Sequence, residues 1–210
     1  MKERLIKSEA CLAEGMAFLI RTDKRFETAY MQTGALPLRL RKGGFAALLD
    51  AIVGQQISVA AADSIWARLK ENKLTSAKAI READDNALRN CGLSRPKIRY
   101  ARALAHSGVN YRNLETSSSN DVILELTKIT GIGTWTAEIY TMFSLARADG
   151  FAPGDLALQE AARVLFELKE RPSEKELRSM AEKWRPWRSV AARLLWAYYR
   201  EIKNREGIRK

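Results

Sequence analysis

Apolar residues in this chain recur at three- and four-residue intervals over nearly its whole length, a period that fits helices and little else. The pattern runs through 45–69, 86–105, 119–129, 135–145, 156–168 and 189–202, while alternation with period two is confined to short stretches such as 36–40. Glycines and prolines break it at Gly43 and Gly44, Gly92, Gly108, Gly131 to Gly133, Gly150 to Gly154, and Pro172. With no repeat of fixed period and no low-complexity stretch, the chain reads as an all-α bundle with short connections. At 210 residues it can bury a core as one domain or as two small lobes.

Several helix starts are legible. Ser119 or Asn120 is placed to cap the helix carrying Val122 and Leu126. Ser173 with Glu176 three residues on has capping-box spacing. Asp155, directly after Pro153 and Gly154, is placed to cap the helix that begins at Leu156.

The formal charge of +11 favours polyanionic partners, because each phosphate contact releases counterions. Two cysteines, Cys11 and Cys91, are too few for a disulfide framework and have no C-x-x-C spacing, which fits a reducing, cytoplasmic setting. A single histidine, His106, gives no support to a histidine metal site or a Ser-His-Asp triad and reads as a helix-surface residue. The first twenty residues carry Glu9 and Glu14 among apolar positions and read as an amphipathic helix, not a signal peptide. No stretch is long and apolar enough to span a membrane, so no membrane partner is expected.

The sharpest local feature is the segment 126–137, LTKITGIGTWTA. A helix ends near Ile129, Gly131 and Gly133 flank Ile132, and a second helix begins near Thr134. Glycine allows so tight a turn and lets another backbone approach, while amides at the second helix start point at an anion. Ile132 is the plug that fixes the turn in the core. A plain helix-turn-helix corner would look the same if only G-x-G were considered. Asp155, read locally, is a cap and nothing more.

Together these segments resemble the helix-hairpin-helix DNA glycosylase superfamily, in its DNA-3-methyladenine glycosylase II branch. Besides the hairpin and Asp155, the resemblance rests on the segments 51–62 (AIVGQQISVAAA) and 183–190 (KWRPWRSV), continuing to Trp196. Thr130 stands where the superfamily usually has proline. The resemblance implies a two-lobed helical bundle with the active-site cleft between lobes: 45–130 as a central lobe, and 1–44 with 131–210 as a second lobe. It implies that Gly131, Ile132, Gly133 and Thr134 hold a DNA phosphate. Main-chain carbonyls of Thr127, Ile129 and Ile132 would bind a structural Na+ or K+. Asp155 would be the catalytic carboxylate, with Trp135 and Trp196 lining a base pocket.

Bifunctional members carry a nucleophilic lysine where this chain has Trp135, which cannot form a Schiff base. The cysteines of iron–sulfur members are absent. Both differences point to a monofunctional enzyme with no β-lyase step, no required cofactor and no iron–sulfur cluster. Its substrates would be alkylated purines (3-methyladenine, 7-methylguanine) in double-stranded DNA, bound by a monomer associated with the nucleoid. Indole faces attract cationic bases through cation–π contact, although Trp184 and Trp187 read better as core. Family pocket tyrosines fall on Ile139 and Leu156. Gln55 and Gln56 are DNA-contact candidates, with Gln56 at the family's wedge position, but both read equally as helix-surface amides. Arg95, Lys97 and Arg99 are further phosphate candidates. Two alternatives stay open: a glycosylase for uracil or a deaminated purine, and a non-catalytic DNA-binding module using only the hairpin.

Overall fold

Side-chain oxygens of Ser58, Ser76, Asp84, Asn110, Ser118, Asp155 and Ser173 accept hydrogen bonds from first-turn amides, so short polar residues fix where seven helices begin. The computed structural model describes residues 3–204. Among these, thirteen α-helices follow in order: α1 (Glu9–Thr22), α2 (Arg25–Thr33), α3 (Phe45–Gly54), α4 (Val59–Glu71), α5 (Ala77–Glu82), α6 (Asp85–Asn90), α7 (Arg95–His106), α8 (Tyr111–Thr116), α9 (Ser119–Thr127), α10 (Thr134–Phe143), α11 (Leu156–Leu165), α12 (Glu174–Met180) and α13 (Arg188–Lys203). A 3-10 turn, Ala181–Trp184, leads from α12 toward α13. No strand forms among the described residues; Leu5 and Arg147 make one isolated antiparallel bridge.

The chain divides into two units. One runs up to Leu40 and resumes at Ala146; the other is Arg41–Leu145. In the first, α13 packs on α1, α2 and α11. Phe26, Phe151 and Phe166 surround Trp184, the first two meeting it edge-on with ring centroids 5.5 and 5.6 Å away. Trp184 and Trp187 are both buried, as a core role requires.

In the second unit, α7 packs on α3 and α5, and α10 packs on α3 and α9. Leu48, Leu49 and Ile52 from α3 share a buried cluster with Ile98 and Leu104 from α7 and with Leu126 and Ile132. Full burial of one such side chain contributes about 1.5–3 kcal/mol.

Several expectations are corrected. The lobe boundary lies after Leu145, not at 130. Ile132, Ala137 and Tyr140 belong to the same core as α3 and α7, so the second hairpin helix stays with the first. The unit also begins at Arg41, not 45: the Gly44 amide donates to the Tyr140 hydroxyl at 2.9 Å, and the Arg41 amide to the Phe143 carbonyl at 3.0 Å. The run 45–69 is two helices, because the chain turns at 55–58 and Ser58 restarts it. The run 86–105 is likewise α6 and α7. The cap of α9 is Ser118 rather than Ser119 or Asn120, its Oγ accepting from the Asp121 amide at 3.1 Å. The expected capping box of Ser173 and Glu176 is present.

Candidate functional site

In the first unit, Asp155 ends the loop that follows Asp149 and caps α11. Its Oδ1 accepts from the amides of Ala157 at 2.9 Å and Leu158 at 3.0 Å, and from the indole Nε1 of Trp196 at 3.2 Å. Its own amide donates to the Ala152 carbonyl. The carboxylate is buried, 7% exposed, at the positive end of a ten-residue helix. Amide donors, an indole donor and the helix dipole together hold a negative charge at one fixed point. Gln159, one turn along α11, donates from Nε2 to the Pro153 carbonyl at 2.9 Å and so pins the loop in front of the carboxylate.

Asp149, the other acid near the loop, is committed elsewhere. Arg188 donates to both its oxygens, at 2.8 and 2.9 Å, and Arg185 lies 3.0 Å from Oδ2. That forked pairing ties the start of α13 to the loop.

Trp196 is 2% exposed. An indole buried that deeply leaves little face open to solvent, and its N–H donates to Asp155. Leu156, where the resemblance expects a tyrosine, is 62% exposed directly beside Asp155, whereas Ile139 in the second unit is buried.

In the second unit, α9 and α10 are the two arms of the hairpin. Gly131 has φ +95°, and a Cβ built there would lie 2.2 Å from Cγ of Tyr100. Both the backbone angle and the ring of Tyr100 therefore demand glycine. Gly133 differs. Its φ of −88° suits any residue, and a Cβ there would meet nothing within 4 Å. As the cap residue of α10 it offers no side-chain cap, so an unobstructed, positively polarised helix end faces outward. Thr134 and Trp135 are exposed in the first turn of α10, while Ile132 is buried beneath them as the expected plug.

Thr127 closes α9, and the Ile129 carbonyl accepts from the Ile132 amide at 2.9 Å. With Ile132 these residues offer main-chain carbonyls, while the Thr127 hydroxyl donates to the Ile123 carbonyl; carbonyl oxygens fit a hard monovalent cation. Among the described residues no group of three or more His, Cys, Asp and Glu is arranged to hold a metal ion.

Gln55 and Gln56 lie in the turn after α3 and not on a helix surface. Gln55 is half-buried, and its Nε2 donates to the Gly131 carbonyl at 2.9 Å and the Thr136 hydroxyl at 3.4 Å. Gln56 is exposed, with φ +57°. Of the basic candidates on α7, Lys97 is already engaged: its Nζ donates to the Val53 carbonyl at 2.6 Å, and burial pushes its pKa down. Arg95 and Arg99 are exposed. The contacts of Tyr100, Lys97 and Gln159 had no sequence signal, because each joins residues whose spacing shows no motif.

A sequence profile of the HhH-GPD superfamily of base excision DNA repair proteins matches residues 49–186. The chain belongs to that superfamily. Among its superfamily relatives, DNA-3-methyladenine glycosylase 1 of Schizosaccharomyces pombe is 30% identical over 165 residues, 74% of this chain and 72% of that protein. A solved DNA-3-methyladenine glycosidase from Bacillus halodurans superposes with a TM-score of 0.80 at 30% identity, covering 99% of this chain and 96% of that one. The solved S. pombe 3-methyladenine DNA glycosylase in complex with abasic DNA gives a TM-score of 0.80 at 26% identity over 94% of this chain and 100% of its own.

Proposed function

We propose that this superfamily member is a monofunctional DNA glycosylase that hydrolyses the N-glycosidic bond of alkylated purines in duplex DNA, with 3-methyladenine and 7-methylguanine as substrates. The observation that carries the reading is Asp155, a buried carboxylate whose Oδ1 is held by two amides and an indole N–H. The names of the relatives supply the substrate class.

Breaking the bond between C1′ and the base leaves positive charge on the deoxyribose. A fixed anion in a water-poor setting stabilises that charge without having to reorganise. Asp155 then takes the proton of the water that adds to C1′, while the bonding electron pair leaves with the base. An alkylated purine already carries positive charge, so it departs neutral and needs no acid. Trp135, 37% exposed, presents an indole on which such a cationic base can stack. Standing where lysine would form a Schiff base, it supports hydrolysis without strand cleavage.

Gly133 and Thr134 at the start of α10 hold a phosphate of the strand. Carbonyls of Thr127, Ile129 and Ile132 would hold a sodium or potassium ion there, and the bound ion supplies positive charge toward that phosphate. Gln56 enters the gap left by the flipped base. Flipping costs a few kcal/mol and is easiest at a weakened pair, which favours lesions. The enzyme acts as a monomer.

The leucine at 156 in place of a tyrosine favours testing uracil and deaminated purines beside methylated bases. The deciding experiment measures bases released from methylated duplex DNA by wild type and by Asp155→Asn. Release by wild type that Asp155→Asn lacks is expected; equal release by both would overturn the mechanism. Tight DNA binding with no release from any lesion would favour a non-catalytic binder.

A further inference from the structure

Two turns of the second unit lie on the surface that the glycosylase reading assigns to DNA, and one side chain joins them. Gln55 is the C-cap of α3, with extended backbone angles (φ −62°, ψ 131°). At that point the main chain leaves the helix. The side chain goes instead to the hairpin, where Nε2 meets the Gly131 carbonyl at 2.9 Å and the buried Thr136 hydroxyl at 3.4 Å. The next residue, Gln56, is exposed in a left-handed conformation at φ +57°. A non-glycine residue keeps that conformation only where its surroundings over-determine it.

Helix α7 braces both turns from below. Lys97 donates to the Val53 carbonyl in the last turn of α3, and Tyr100, three residues on and so on the same helix face, packs against Gly131. The end of α3, the hairpin turn and α7 thus form a closed set of contacts, in which the Gln55 side chain bonds directly from the α3 turn to the hairpin.

Resting on the glycosylase reading, the geometry points to Gln55 as the positioning residue that locks the Gln56 turn to the phosphate-binding hairpin. Gripping the backbone and entering the base stack are then one rigid act. The side chain that sequence alone grouped with the DNA contacts works on the protein's own hairpin, and the residue after it faces the nucleic acid.

The test compares Gln55→Leu, which keeps bulk and removes the donors, with Gln56→Ala and the double variant. Single-turnover base release from methylated duplex is measured against enzyme concentration. For Gln55→Leu the maximal rate is expected to fall about tenfold, the scale of one lost hydrogen bond, with the half-saturating concentration moving less than about twofold. If Gln55 acts through Gln56, the double variant is no slower than Gln56→Ala. Losses that multiply, or a loss confined to half-saturation, overturn the proposal. Hydrogen exchange in the free protein is the second readout. Gln55→Leu is expected to speed exchange in both 55–58 and 128–133, and acceleration in neither or only one overturns the brace. Should wild type release no base, the glycosylase reading falls, while the exchange result still decides whether Gln55 couples the turns.

Discussion

The indole N–H of Trp196 donates to Oδ1 of Asp155 at 3.2 Å, although forty-one residues separate the two in the chain. The indole is buried, so the bond holds the same oxygen that accepts from the amides of Ala157 and Leu158. It is the contact that converts a helix cap into a held anion. Trp196→Phe keeps most of the packing and removes the donor. Single-turnover base release is expected to fall about tenfold, because a hydrogen bond to a charged group is worth about 1.5–3 kcal/mol and part of that is lost as looser aim. An unchanged rate would show that the amides alone aim Asp155.

Asp155→Asn and Asp155→Ala should separate cap from catalyst. Asparagine caps helices as well as aspartate does, so Asp155→Asn should unfold near the wild-type temperature while base release falls at least about a hundredfold. Asp155→Ala removes the cap as well and is expected to lose about 1 kcal/mol of stability. Thermal melts run beside the release assay check both halves.

The hairpin glycines make opposite predictions. Gly131→Ala forces a Cβ into the Tyr100 ring at a left-handed angle, and should cost about 2–4 kcal/mol from strain and overpacking combined. Gly133→Ser meets no neighbour and supplies a good cap, so stability should hold. Its affinity for duplex DNA should nonetheless fall, because the new side chain occupies the space before α10. Denaturant unfolding and a binding titration at fixed salt distinguish the two.

Glu160 supplies a test in pH. Hydrogen bonds from Arg163 and then Lys203 hold its carboxyl down at about 2, against an ordinary value of 4.5. A depressed folded-state pKa means that its stabilisation is complete above 4.5 and drains away as pH falls toward 2. Glu160→Gln should therefore destabilise the protein at pH 7 and flatten the loss of melting temperature between pH 5 and 2. A variant whose acid profile overlays that of wild type would show the ion pairs contribute nothing.

The helical class, the hairpin glycines and the cap role of Asp155 were legible because each is local. A period of three to four residues, a G-x-G turn and an acid after Pro-Gly are all written within a dozen neighbouring residues. Element boundaries were less legible: periodicity runs straight through the turn at 55–58, since apolar spacing continues on either side of it. The lobe boundary is not legible in the sequence for a related reason. Ile132 and Tyr140 read as hydrophobic in either lobe, and only the core they enter assigns α10 to the second unit.

The sequence by itself determined that this is a basic, all-helical chain with a tight G-x-G turn between two helices and an acid after Pro-Gly at a helix start. Tertiary structure alone decided what those residues touch. It sealed Trp196 behind Asp155, turned Gln55 inward to the hairpin and Gln56 outward, and committed Asp149 and Lys97 to structural partners. The physical reason is range. Caps and turns are set by neighbouring backbone, whereas burial and side-chain hydrogen bonds depend on which distant surfaces the folded chain brings together.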